Sequence, residues 1–96
     1  CGEMGRTPKL QKNGGRNHWG RLAPLMLAGG GLRMGQVIGQ SSPDAGEPAS
    51  DPVTNENLIG TIMHTLLDVG EVRLMENLPR DVHRVVTSAR PIKGLA

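Results

Sequence analysis

The stretch NENLIGTIMHTLLDVG, residues 55–70, carries the strongest structural signal in the chain. Its apolar residues recur every three or four positions, which is typical of an α-helix with one apolar face. Thr54 can cap the first turn, Glu56 suits the helix dipole, and Gly70 is a typical C-terminal stop. Gly60 costs up to about 1 kcal/mol against Ala in a helix, which indicates close packing there. The stretch therefore predicts an amphipathic helix with a buried face formed by Leu58, Ile59, Ile62, Met63, Leu66 and Leu67.

Outside this helix the sequence predicts short strands separated by loops. LAPLMLA, residues 22–28, suits a buried strand, and a second strand is predicted over residues 36–38. The three glycines of residues 29–31 predict a turn between these strands. Residues 41–52 are acidic and rich in turn formers, as in a surface loop, and residues 71–90 show weak helical spacing. Short strands with one clear amphipathic helix favour the α/β class.

The composition limits the size and setting of the protein. Its 96 residues are enough for one domain or part of one. The chain has one Trp and no Phe or Tyr, so any core is aliphatic, and its single Cys forms no internal disulfide. No apolar run approaches the ~18 residues of a transmembrane helix. CGEMGRTP, residues 1–8, resembles the end of a strand entering a loop, so we expect a piece of a longer protein.

Charge is unevenly distributed along the chain. Residues 1–24 contain five basic residues against one acidic residue, whereas residues 41–57 contain four acidic residues and no Lys or Arg. A basic segment of this kind can attract phosphate, sulfate or nucleic acid. The alternative is a solvated basic loop that faces an acidic one, which is the usual meaning of such clusters.

Two features of the sequence suggest a binding site, but each is better interpreted as an ordinary structural element. The run GGGLRMGQV, residues 29–37, has the glycine spacing of a phosphate-binding loop. It lacks the Lys and the Ser or Thr that must follow, so we interpret it as a turn. His64 and His83 have no second ligand at helical spacing, and we interpret both as packed or surface residues.

The stretch GGRNHWG, residues 14–20, is the best candidate for a site. It lies in a long glycine-rich loop, and long loops inside a compact domain are often functional. His18 in this loop and Glu3 upstream are residue types that bind metal ions. Arg6 and Arg16 carry the forked donors that recognise tetrahedral oxyanions. The alternative is an exposed basic loop without a ligand, and two metal ligands alone never complete a site.

Four stretches of the chain, taken in order, resemble the C-terminal part of a large bacterial sulfatase-like family of unknown function: GEMGRTPK (2–9), GGRNHWG (14–20), LMLAGGGLRMGQVIGQS (25–41) and DPVTNENLIGTIMHTLLDVG (51–70). That family belongs to the alkaline phosphatase-like superfamily. The resemblance covers nearly the whole chain, so residues 1–96 are expected to be one partial sulfatase-like domain. Two positions depart from the family's usual pattern, in which Asp stands at Asn17 and Phe at Met4.

The resemblance implies a fold and a set of site residues. The fold is an α/β sandwich around a central sheet, of which this chain is the C-terminal fragment. Glu3 and His18 correspond to ligands of a divalent metal ion (Zn²⁺, Ca²⁺ or Mg²⁺), and Arg6 and Arg16 would lie near the bound oxyanion. The nucleophile, a Ser, Thr or formylglycine, would come from an N-terminal part that these residues do not include. The rest of the parent domain is therefore an implied partner.

The expected function is metal-dependent hydrolysis of sulfate or phosphate esters, with the substrate open. The fragment alone is expected to be inactive because it contains no nucleophile. The resemblance also implies an exported bacterial protein, periplasmic or extracellular. The alternative is a small basic module that uses the Arg/Lys loop and Trp19 to hold nucleic acid or an anionic glycan. A single Trp offers little aromatic surface on which bases can stack, so nucleic acid is the less favoured partner.

Overall fold

The computed structural model describes residues 1–95, which contain two short strands and three helices. In chain order these are β1 (Gly5–Arg6), β2 (His18–Trp19), α1 (Asn55–Leu66), α2 (Val69–Leu74) and α3 (Arg80–Ser88). The chain divides into two compact units. The first unit combines Cys1–Leu27 with Val37–Pro52, and the second combines Ala28–Gln36 with the chain from Val53 onward. The described residues thus have a mixed α/β composition, in agreement with the predicted class.

The first unit is built on a two-stranded antiparallel ribbon. β1 pairs with β2 so that Gly5 lies opposite Trp19 and Arg6 lies opposite His18. The Thr7 N–H extends the pairing by donating to the Asn17 carbonyl at 2.9 Å. Since successive side chains of a strand point to opposite faces, the ribbon carries Arg6 and His18 on one face and Trp19 on the other.

Gly5 makes this ribbon possible because it is buried against backbone. A Cβ at this position would overlap the Leu22 carbonyl oxygen and lie 2.7 Å from the Trp19 carbonyl oxygen. Neither oxygen belongs to a flexible side chain that could move aside. Only glycine therefore allows the chain after β2 to cross so closely over β1.

The second part of the first unit is an exposed loop, as predicted for residues 41–52. An isolated bridge between Ser41 and Pro48 closes its base. The Ser42 N–H donates to the Glu47 carbonyl at 2.8 Å, which tightens the turn inside the bridge. Ala45 at the tip has a φ of 58°, in the left-handed region that non-glycine residues rarely adopt.

In the second unit, α1 begins where the sequence predicted. Thr54 is its N-cap: the Thr54 side chain accepts from the Asn57 N–H at 3.3 Å, and Asn57 Oδ1 accepts from the Thr54 N–H at 3.0 Å. The predicted stop at Gly70 is wrong, because α1 ends at Leu66 and Gly70 lies inside α2. The Asp68 side chain caps a new helix by accepting from the Glu71 N–H, so the chain turns before it reaches Gly70.

The buried face of α1 differs from the predicted one. Gly60 and Thr61 are its buried residues, and Leu66, at the centre of the predicted face, is 72% exposed. Leu58 and Met63 are half-buried, whereas Ile59, Ile62 and Leu67 are exposed. The reason is that Gly60, which has no side chain, allows the backbone at Arg90 to approach the helix closely at that point. The contact at Gly60 confirms the close packing that the sequence indicated there.

Two of the three core residues of the second unit lie in residues 71–90, where the helical spacing of the sequence is weak. Val69 and Val72 of α2 pack with Val86 of α3 in a buried cluster. Met63 and Leu78 cover this cluster from outside. The three buried residues of this cluster are valines, and Ile92 is buried as well, in keeping with the aliphatic core that the composition required.

The two predicted strands are wrong. Residues 22–28 and 36–38 form no strand, and Met26 and Val37 are 85% and 95% exposed. An apolar run becomes a strand only when another strand satisfies its backbone, and these segments have no such partner within residues 1–95. The turn predicted at residues 29–31 is confirmed: all three glycines have positive φ, and the Leu32 N–H donates to the Gly29 carbonyl at 3.1 Å.

Candidate functional site

The ribbon brings three of the four predicted site residues together. Arg6 and His18 share one face of the ribbon through their register, and Glu3 lies just before β1. Glu3 Oε1 lies 3.9 Å from His18 Nε2 and accepts a hydrogen bond from Arg6 Nη2 at 3.2 Å. We call Glu3, Arg6 and His18 the ribbon cluster. Glu3 and His18 are distant in sequence, and the antiparallel pairing of β1 with β2 brings them close together.

The ribbon cluster is open to solvent. The Glu3 and His18 side chains are 67% and 63% exposed. Ion pairs as exposed as Glu3–Arg6 stabilise a fold by about 1 kcal/mol at most, since water screens them. The cluster therefore contributes little to folding, and its charged atoms are accessible to an ion or an anionic ligand.

Arg16, the fourth predicted residue, is engaged in the loop itself. Its Nη1 atom donates to the carbonyl oxygens of Thr7 and Pro8, both at 2.7 Å. Two charge-assisted hydrogen bonds to backbone hold the segment after β1 against the segment before β2. The structure thus gives Arg16 a structural contact, and its role toward an oxyanion stays a prediction.

The donors of the ribbon cluster suit part of a metal site. A carboxylate oxygen and an imidazole nitrogen are common ligands of Zn²⁺, and two ligand atoms on a tetrahedral ion lie roughly 3.4 Å apart. The Glu3–His18 separation is within half an ångström or so of that distance. Among residues 1–95 there is no group of three or more His, Cys, Asp or Glu that could hold a metal ion. Within the described residues, the ribbon cluster therefore contains two side chains of a type that can bind a metal ion, and their role as ligands stays a prediction.

Comparison with known proteins places the whole chain in one family. The family described as "Protein of unknown function (DUF1501)" matches residues 1–96. The chain belongs to the DUF1501 family. No curated protein and no solved structure matches it. Because the description of the DUF1501 family names no activity, the likeness to sulfatases and alkaline phosphatases stays a prediction.

Trp19 of this DUF1501 chain has a structural role on the other face of the ribbon. Its indole Nε1 donates to the Gly46 carbonyl at 2.7 Å. The Arg21 guanidinium lies over the ring, 5.5 Å from its centroid, which is a cation–π distance. Arg21 also forms an ion pair with Glu47. The only aromatic residue of the DUF1501 chain thus fastens the acidic loop to the ribbon.

These contacts bear on the charge asymmetry of the sequence. The basic segment and the acidic loop belong to the same unit and meet through the Arg21–Glu47 pair. Opposite charges so placed largely cancel each other's field at a distance. The Arg21–Glu47 pair is a contact of the kind expected for a basic loop that faces an acidic one, and the choice between this interpretation and a nucleic-acid surface stays a prediction. The longest helix in the described part of the DUF1501 chain has 12 residues, too few to cross a membrane.

Two polar residues of the first unit were not identified from sequence. The Thr7 hydroxyl accepts from the Asn17 N–H at 3.2 Å and donates to the Lys9 carbonyl at 3.1 Å, which fixes the backbone beside His18. Asp44 Oδ1 accepts from the Ser42 hydroxyl at 2.6 Å and from the Gly46 N–H at 3.1 Å. These two bonds, the Ser42 bond foremost, lower the pKa of Asp44. The pattern Ser-x-Asp-x-Gly was a detectable signal of this turn, whereas nothing near Thr7 in the sequence indicates its contacts.

Proposed function

We propose that this DUF1501 chain is the C-terminal part of a metal-dependent hydrolase of sulfate or phosphate esters. Glu3 and His18 would supply two ligands of a divalent cation. The observation that supports the proposal most directly is the 3.9 Å approach of Glu3 Oε1 to His18 Nε2 on one open face of the ribbon. The proposal includes the wider sandwich fold and the exported location that the sequence resemblance implies.

Each residue of the ribbon cluster has a defined task in this proposal. A bound divalent cation would polarise an ester oxygen. Glu3 would contribute negative charge to the ion, and His18 would contribute a neutral nitrogen. In the described contacts the Arg6 guanidinium donates from Nη2 to Glu3 Oε1, so its other donors could meet a sulfate or phosphate oxygen. The nucleophile and the remaining ligands are assigned to a part of the protein outside these 96 residues.

The test of the ligand assignment uses the full-length parent protein. His18→Ala should remove most of the bound metal and lower turnover of both sulfate and phosphate esters by at least about a hundredfold. The matched control is His64→Ala, since His64 is an exposed histidine of α1 in the other unit. It should leave metal content and turnover unchanged. A His18→Ala protein with normal metal and normal turnover would contradict the proposal.

The two arginines can be separated in the same protein. Arg6→Gln should raise KM for the ester by about 10-fold while the fold stays intact, because the exposed Arg6–Glu3 pair adds little stability. Arg16→Gln should instead lower the stability of the first unit, because two backbone carbonyls lose their donor. A reversed pattern would move the oxyanion contact from Arg6 to Arg16.

A further inference from the structure

The first unit contains an open cleft on the Trp19 side of the ribbon. It has a volume of about 460 Å³ and is lined by residues 7–11, Trp19, Asp44 and Gly46. This volume is in the range of small-molecule sites, which begin near 300 Å³. His18 neighbours Trp19 on β2 but points to the opposite face of the ribbon, so the cleft is separate from the ribbon cluster.

Trp19 gives the cleft a rigid apolar wall. Its indole N–H is already bonded to the Gly46 carbonyl, and the Arg21 guanidinium lies over the ring. Arg21 does not line this cleft, so the indole reaches the cleft without the guanidinium in front of it. A ring held from two sides loses little freedom when a ligand binds, which favours affinity. An aromatic surface fixed in this way suits the C–H face of a chair-shaped ring.

The rest of the cleft offers both hydrogen-bond donors and acceptors, with balanced charge. Lys9 brings three ammonium donors, and the Gln11 side chain brings an amide that can donate and accept. Asp44 uses Oδ1 for the turn, which leaves Oδ2 as an acceptor among the described contacts. A cation and an anion on one rim disfavour a strongly charged ligand of either sign. They suit a neutral molecule with several hydroxyl groups.

We propose that this cleft binds one neutral hexose-sized sugar ring, with its C–H face on Trp19 and its hydroxyls bonded by Lys9, Gln11 and Asp44. The inference goes beyond the proposed hydrolase function and does not rest on it. The sugar is a free saccharide or one unit of a larger glycan, since both present the same ring. The balanced rim distinguishes this ligand from an anionic glycan or a nucleic acid.

Intrinsic fluorescence of the 96-residue chain tests the proposal, because Trp19 is its only aromatic residue. Neutral hexoses and their short oligosaccharides are titrated in parallel with inorganic sulfate and a single-stranded oligonucleotide. A neutral sugar should change Trp19 emission saturably, with a Kd on the order of millimolar that is independent of salt. The proposal is overturned if no neutral sugar up to about 100 mM produces a saturable change, or if only the anions do so.

Variants assign the binding to the cleft. Gln11→Ala and Lys9→Ala should each weaken sugar binding by about 3- to 10-fold, since each removes a hydrogen-bonding group from the rim. Lys12→Ala is the charge-matched control, because Lys12 does not line the cleft, and it should change the Kd by less than about twofold. Equal losses in Lys9→Ala and Lys12→Ala would overturn the assignment. His18→Ala should leave sugar binding intact, so failure of the metal site and failure of the sugar site are distinguishable.

Discussion

Gly60 of α1 lies directly against the backbone at Arg90. A Cβ at Gly60 would stand 2.7 Å from both the carbonyl carbon and the carbonyl oxygen of Arg90. Asn57, one turn earlier, donates from Nδ2 to the same carbonyl oxygen at 3.1 Å. The segment after α3 is therefore held on α1 by a contact that only the absence of a side chain permits. This contact sets which face of α1 is buried.

Gly60→Ala should destabilise the second unit by about 1–3 kcal/mol, although alanine is the better helix former. The added Cβ meets backbone, which cannot move aside as a side chain would. Gly70→Ala is the matched control, because Gly70 is also helical and the nearest atom to its Cβ is the Asp68 carboxylate at 3.2 Å. That oxygen also caps α2 by accepting from the Glu71 N–H, so the control should cost at most about 1 kcal/mol and less than Gly60→Ala. Urea unfolding followed by helical circular dichroism measures both, and equal stabilities would contradict the prediction.

Thr61→Val should also destabilise the second unit, by about 1–3 kcal/mol. The buried Thr61 hydroxyl accepts from the Ile92 N–H at 2.9 Å, and valine would leave that buried N–H without a partner. Thr65→Val is the control, because in the described contacts the Thr65 hydroxyl donates back to the Thr61 carbonyl on its own helix. Thermal unfolding should show a clear drop for Thr61→Val and little change for Thr65→Val. Similar effects at both positions would mean that the Ile92 bond contributes nothing.

Gly5→Ala should disrupt the first unit. Its Cβ would overlap the Leu22 carbonyl oxygen, and the expected loss is about 3 kcal/mol or more. The Trp19 emission should move to longer wavelength as the indole becomes hydrated. Gly20→Ala adds the same methyl group at a position with no heavy atom within 4 Å, so its emission should match the wild type. A native emission spectrum in Gly5→Ala would contradict the ribbon geometry.

The acidic loop should loosen at low pH through Asp44. The Ser42 hydroxyl and the Gly46 N–H lower the pKa of Asp44 in the folded chain. The stabilisation is therefore complete above the ordinary aspartate pKa, near 4, and is lost as the pH falls through the lowered value. Acid titration of Trp19 emission should show this transition, since Trp19 bonds Gly46 in the same loop.

Two variants identify the titrating group. Ser42→Ala removes the largest cause of the shift, so the transition should move to higher pH. Asp51→Asn removes an equal charge outside the Ser42–Glu47 turn and should leave the midpoint in place. A midpoint that moves with Asp51→Asn and stays fixed with Ser42→Ala would assign the transition to another carboxyl.

Local features of the sequence predicted the start of α1 and the glycine turn correctly, but not the end of α1 or its buried face. The capping of α1 by Thr54 needs only residues within one turn, so the start of the helix was correctly placed. The same holds for the glycine turn at residues 29–31, where φ is positive at each residue. The predictions of strands at residues 22–28 and 36–38 were wrong because a strand depends on a partner strand that can lie anywhere in the chain. The end of α1 failed because Asp68 starts a second helix before the predicted stop.

The candidate site was partly accessible to sequence reasoning. Residue chemistry and the family resemblance singled out Glu3 and His18, and the ribbon places them 3.9 Å apart. Spacing alone could not show that Arg16 is bonded to two loop carbonyls while Arg6 remains beside Glu3. It also could not show that Trp19 lines a cleft with Asp44, because β2 and the loop that contains Asp44 are distant in sequence.

By itself, the sequence determined the cap and helical character of α1, the aliphatic core, and the turn and loop segments. Each of these depends on side-chain chemistry or on contacts within a few residues. Only the tertiary structure decided that Gly60 and Thr61 form the buried face of α1 in place of the predicted apolar face. It also decided that Arg6 and His18 share one face of the ribbon while Trp19 takes the other. Both outcomes come from the approach of backbones distant in sequence. That approach is governed by where a Cβ is missing and where a backbone N–H finds its acceptor.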